Sequence, residues 1–378
     1  IEEFLQRKIE YIDLDEIEEE AYRRSSFSGS LYGNGYAIDD LVVDRPDDTG
    51  VGLFSVTAGA TITEVKSENA KINGGDGVGG LVGVNTKEAE IREAKIEGDV
   101  TGKNGTGGLV GVNTKGEVQD STADGNVNGE NMTAGLVGVN TEEAVVADST
   151  AECGVNGEDR TGGLVGMNTE GKVQASIAVC NVDGDLCTGG LVGKNAEEAV
   201  IADSTAESDV DGRSRTGGLA GENTEEAVVA DSTAKGEVGG YDKTGGLIGQ
   251  NNNGALVRNS TAESNIGEKY RNCIGGLVGK NSSASVQESE ARGDIEGSKK
   301  VGGLVGMNED GAVVQDSTAE STVKGSKKVG GLVGMNEDGD IVRDSTAEST
   351  VEGNEDTGRL VGLEETDDDA GVISKDRE

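Results

Sequence analysis

Histidine is absent from the 378 residues, which excludes Ser-His-Asp and Cys-His catalysis and any metal centre built on imidazole. Aromatic residues make up only 2% and hydrophobic residues 33%, alongside 63 glycines and one proline, so a thick conventional core is out of reach. Scattered apolar residues at that density would leave the chain disordered; placed in register, they suffice for a thin repetitive core. No apolar run is long enough for a transmembrane helix, and no secretory signal is visible. Because the chain starts at Ile1, an upstream segment removed beforehand would account for the missing signal.

Positive charge is also scarce. Against 72 acidic residues stand 33 Lys and Arg, giving a formal charge of −39, and such a surface repels the phosphate backbone of nucleic acid. It suits concentrated salt. Two carboxylates roughly 5 Å apart repel by about 1 kcal/mol in water, and a Debye length of about 3 Å at 1 M salt screens most of that.

What is present is a period. Thr161-Gly162-Gly163-Leu164-Val165-Gly166-Met167-Asn168 recurs in close variants, and its leucine returns as Leu53, Leu81, Leu109, Leu136, Leu164, Leu191, Leu219, Leu247, Leu277, Leu304, Leu332 and Leu360, at gaps of 27 to 30 residues. A near-constant period of that length predicts one elongated solenoid whose laps touch only their neighbours. Within the lap from Leu136, strands are expected at Leu136-Val137, at Val145-Val146 and from Ser149 to Val155. In the last of these Ser149, Ala151, Cys153 and Val155 alternate inward against Thr150, Glu152, Gly154 and Asn156. The asparagines four residues after each leucine, Asn85 to Asn336, are expected to stack as an amide ladder.

The repeated Gly-Leu-Val-Gly-x-Asn core resembles the GLUG motif of microbial surface proteins, and the lead-in from Phe27 to Ile38 followed by Val51-Gly52-Leu53-Phe54 is similar to the way such arrays begin. The resemblance implies an all-β fold, a right-handed parallel β-helix of about twelve coils, and an extracellular location. It brings no single known chemistry. The chain departs from the pattern by placing Asp120, Asp148, Asp203, Asp231, Asp316 and Asp344 before the repeat's serine, where Asn259 is nearer expectation. That column reads as salt adaptation, with diffuse monovalent cations preferred over coordinated calcium.

Three segments are expected. Residues 1–26 form a cap or attachment segment, partly helical because Ile1, Leu5, Ile9 and Ile12 keep helical spacing; 27–363 form the β-helix; and 364–378 form an acidic, mobile tail. Seven of the nine aromatics fall between Phe4 and Phe54, which suits a cap.

Candidate sites are few. Cys153 and Cys180 share a column on adjacent coils, as a disulfide or as stacked buried thiols, with the second preferred because the column otherwise holds Gly125, Ser208, Gly236, Ser264 and Gly293. Cys187 and Cys273 share another column three coils apart, and no spacing suits a metal or cofactor. Tyr241 and Lys243, with Lys269, Tyr270 and Arg271 on the neighbouring coil, form a candidate ligand patch, because tyrosine beside arginine is a common recognition pairing. Asn104 and Asn131 open glycosylation sequons in expected loops, whereas Asn281 belongs to the ladder. A basic loop column (Lys103, Arg160, Arg213, Arg215, Lys243, Arg271, Lys299, Lys300, Lys327, Lys328) faces an acidic one at Glu142-Glu143, Glu197-Glu198, Glu225-Glu226 and Glu309-Asp310. Lateral self-association of rods, or tracking of a periodic anionic glycan, follows from that layout.

The sequence thus predicts a non-enzymatic extracellular rod, an adhesin, filament or envelope component whose partner is a protein or a surface glycan. It contacts no nucleic acid and inserts into no membrane. The alternative is a viral tail-fibre or spike acting on host glycan.

Overall fold

Glycines flanking each Leu-Val pair let the chain turn sharply, and a lap of 27 to 30 residues brings it back beside its starting point. The computed structural model describes residues 26–267, 272–337 and 339–364, and among these the secondary structure is entirely strand and turn. The expected cap helix and acidic tail therefore lie outside the described residues. What is described is a parallel β-solenoid of about twelve coils.

Each lap carries four strands, shown by Val137–Thr141, Val145–Ala147, Thr150–Asn156 and Asp159–Gly162. Stacking lap on lap produces four parallel sheets, here sheets I to IV in that order, of 12, 12, 15 and 11 strands. Sheet III is numerically larger because some of its strands split in two. With about 4.8 Å between strands, twelve coils span on the order of 60 Å.

The sequence anticipated three of these strands and read the fourth as a loop. The reason is local. In each four-residue strand of sheet IV the second residue is left-handed, with φ 55° at Arg160, 56° at Arg215 and 54° at Lys243, so no period-two alternation survives to be read.

The core is a column of leucines from Leu81 to Leu332, each at most 1% exposed, joined by valines and isoleucines of sheets I to III. In sheet III, Ala151 and Val155 point inward as expected, whereas Cys153 is only half-buried because the strand bends there. At the first coil Phe27 stacks on Phe54 with ring centroids 4.9 Å apart, but Tyr32 and Tyr36 are exposed and close nothing.

The asparagine ladder is continuous. Nδ2 of Asn140 donates to Oδ1 of Asn168 at 2.9 Å, and Nδ2 of Asn168 donates to Oδ1 of Asn195 at 2.8 Å, in a chain that runs from Asn85 to Asn336. Each amide also donates to its own turn, as Asn140 does to the Ala144 carbonyl at 2.9 Å. A second ladder escaped the sequence reading: Oγ of Ser149 accepts the Ser121 N–H at 3.2 Å and donates to the Ala147 carbonyl at 2.7 Å. The aspartates just before these serines have φ of 50–52°. Asp and Asn tolerate that conformation better than other residues with a Cβ, so the corner backbone accounts for the column's composition alongside any effect of salt.

Candidate functional site

Two surfaces of the coil carry chemistry. The first is made by a bend in sheet III. At Gly125 and Gly236 the backbone takes φ of 136° and 123°, and a Cβ there would lie 2.1 and 2.3 Å from a carbonyl oxygen of the preceding coil. Glycine is required for this approach. Beside the bend the outer face is concave, forming a groove of about 550 Å³ lined by Asn181, Asp183, Asp209, Asp211, Glu237 and Tyr241. Asp183 and Asp211 are in-register neighbours, and Oδ1 of Asp209 accepts the Glu237 N–H at 2.9 Å. Tyr241 is 60% exposed and stands at the rim as an aromatic wall beside carboxylate and amide acceptors. The concavity continues past Val179, Lys235, Cys153 and Cys180.

The second surface is a strip over the outer side of sheet I. It is built from the left-handed residues of sheet IV and from the residue between glycine and asparagine in each motif. Left-handed side chains of successive coils converge on one such residue: Cys273 and Lys300 both reach Met307, and Arg215 and Cys187 both reach Glu222. The strip is apolar in the early coils (Val112, Met132, Val139), charged in the middle, and sulfur-rich toward the end.

In the charged stretch Glu222 is 6% exposed. It accepts from the Cys187 thiol at 3.5 Å and from Nη1 of Arg215 at 3.3 and 3.4 Å. Burial first, and then the Glu222 charge, push the Cys187 thiol up to about 12. Burial also lowers Lys243, with Lys280 and Arg215 adding to the effect and Asp242 opposing it. Asp159 is raised by burial although Arg160 and Arg215 pull it down. At the sulfur-rich end Cys273 Sγ lies 3.9 Å from Met307 Sδ, and burial raises Cys273 to about 11.

The predicted patch is divided between these surfaces. Tyr241 faces the groove while Lys243 joins the strip, and Lys269, Tyr270 and Arg271 lie outside the described residues. Of the basic column, Arg160, Arg215, Lys243, Lys300 and Lys328 occupy the left-handed strand positions of the strip, not loops. The sequence reading missed Glu222, Gln250 and Lys280. Their one signal was that x is the variable position in an otherwise constant motif.

Cys153 and Cys180 are in register and present as free thiols. Both sulfurs approach the Gly163 carbonyl, at 3.6 and 3.5 Å, and the thiol contact with Cys180, followed by burial, raises Cys153 well above the usual range. The sequons were expected in loops, but Asn104 and Asn131 begin strands of sheet IV. Their half-buried amides form a short ladder, with Asn131 Nδ2 donating to Asn104 Oδ1 and Asn104 Nδ2 to Asp76 Oδ1, both at 2.8 Å. The strand forms there as it does in the other laps of sheet IV, and the amides pair from coil to coil along its edge. Among the described residues no group of three or more His, Cys, Asp or Glu side chains is placed to hold a metal ion.

Fold and surfaces together define a repeat solenoid with an acidic, laterally exposed exterior. The family model described as the GLUG motif matches residues 102–128, about one lap, and ten laps of the solenoid carry the same Gly-Leu-x-Gly-x-Asn core. Over 60 residues it is 48% identical to halomucin of Haloquadratum walsbyi (strain DSM 16790 / HBSQ001). That stretch is 16% of this chain and 1% of halomucin. No solved structure matches the chain.

Proposed function

We propose that this protein is a non-enzymatic extracellular rod that presents contact surfaces at a cell exterior in concentrated salt, and that its sheet III groove binds a glycan of the neutral, hydroxyl-rich kind. The observation that carries the role is the stacking of four parallel sheets over about twelve coils, which yields a stiff spacer with side chains displayed at a near-constant axial interval. The groove supports the ligand class. An exposed tyrosine ring offers a sugar its flat face, while Asp211, Asp183 and Asn181 supply acceptors and an amide for hydroxyls. Its carboxylates disfavour an anionic sugar at this position. Halomucin, named as a mucin and coming from a cellular organism, favours a cellular exterior over a virion.

Screening the intact chain against a glycan panel at fixed high salt tests this. Binding that falls about tenfold or more in Tyr241→Ala and Asp211→Asn supports the groove. Binding unchanged in both removes it, and release of free sugars from the panel would show an enzyme instead.

A further inference from the structure

We propose that Arg215, Lys243, Lys280 and Gln250 form a binding niche for an oxyanion, a sulfate or carboxylate group, on the charged stretch of the strip. The four belong to three consecutive coils. Glu222, Gln250 and Lys280 are in-register neighbours in sheet I, and Arg215 and Lys243 occupy successive left-handed positions of sheet IV beside them.

Three features point to an anion. Cations are concentrated here on a chain of charge −39, and they are partly desolvated: the Arg215 side chain is 27% exposed and Lys280 20%. Internal ion pairs answer two of the three cations, and Asp242 is the acid acting on the third. Glu222 pairs with Arg215 and Glu309 with Lys280, while Lys243 has no ion pair among the described residues. A half-buried ammonium between two other cations is costly unless a counter-charge approaches.

Unanswered hydrogen-bonding groups sit at the same place. Nε of Arg215 is buried with no partner, and so is the side-chain amide oxygen of Gln250, a residue only 8% exposed. Gln250 is the one uncharged member of the x column from Lys194 to Lys280, and its amide can turn its NH₂ toward a bound oxygen. An oxyanion would then receive the Arg215 Nε–H, the Lys243 ammonium and the Gln250 amide together. Remaining exposure of the lysines leaves a path from solvent. The long-range field of the rod repels anions, so recognition must come from these short, charge-assisted bonds, which persist where salt has screened the field.

The niche is separate from the groove at Tyr241, so the two proposals fail independently. The test is calorimetric titration of the intact chain with sodium sulfate at constant ionic strength. Saturable uptake is expected, weakened about tenfold by Lys243→Met or Gln250→Leu and retained by Lys243→Arg. Lys172→Met, an exposed change on sheet II, and Tyr241→Ala leave it unchanged. A thermal melt of each variant separates lost binding from lost fold. Absence of saturable uptake by the folded native chain, or equal weakening by Lys172→Met, overturns the niche. Dextran sulfate and polygalacturonate then identify the source: tighter binding of either polymer than of sulfate assigns the oxyanion to an acidic glycan, and parity assigns it to the free ion.

Discussion

The Leu164 N–H donates to the Leu191 carbonyl at 2.8 Å, and both side chains are fully buried. Residues 27 positions apart in sequence are thus stacked neighbours, and the column they form is the mechanical axis of the rod. Leu164→Ala removes a buried side chain from a site that the coils above and below hold open. The expected loss is about 2–5 kcal/mol, read by denaturant unfolding, with the laps on either side of the cavity losing amide-exchange protection first.

Asn168 is a link in a chain of amides, so its replacement harms two neighbours. Asn168→Ala leaves the Asn140 donor and the Asn195 acceptor without their ladder partner. A cost of about 1–3 kcal/mol for each group left unsatisfied follows, well above that of an exposed change such as Lys172→Ala. Asn168→Asp keeps the acceptor but sets a carboxylate oxygen against Oδ1 of Asn195, and is expected to destabilise more at pH 7 than at pH 4.

Asp231 has φ 52° at the corner before the serine ladder. Asp231→Gly and Asp231→Asn are therefore expected to be nearly neutral, whereas Asp231→Val costs about 1–3 kcal/mol through backbone strain. Equal melting temperatures for the glycine and valine variants would refute the conformational account of this column.

Asp340 stands where other laps carry alanine or glycine. It is 3% exposed, and its carboxylate accepts the Gly311 N–H at 2.7 Å and the Ala312 N–H at 3.0 Å. Burial raises it to about 6 although these bonds pull it down. A folded value above the unfolded one of about 4 means the folded state binds the extra proton between those limits, so stability falls as pH rises through about 4 to 6. Exchange protection in this lap is expected to be greater at pH 5 than at pH 7. Asp340→Asn abolishes that difference.

Cys187, pushed from 9.0 to about 12, has its thiolate fraction at neutral pH cut about a thousandfold. Iodoacetamide at pH 7.5 is expected to leave Cys187 and Cys273 unmodified in the folded chain and to label all four cysteines after unfolding, as peptide mass mapping would show. Rapid native labelling of Cys187 would contradict its burial against Glu222.

The sequence by itself determined the repeating architecture, because a fixed period forces equivalent residues onto one column and the column's chemistry can then be read directly. Leucine therefore announced the core and asparagine the ladder, while the small residues around Cys153 announced its cramped column. Tertiary structure alone decided where the laps bend and which face each side chain joins. The left-handed residue in every sheet IV strand breaks the alternation on which a strand is recognised, so a strand looked like a basic loop. That same conformation sends Lys243 over sheet I while Tyr241, two residues earlier, faces the groove. Glu222, Gln250 and Lys280 are one lap or more apart in the chain, and only stacking makes them neighbours of Arg215 and Lys243. Their buried, partly unanswered polar groups arise from that meeting, since a pattern of residue types records the column and not what crosses it.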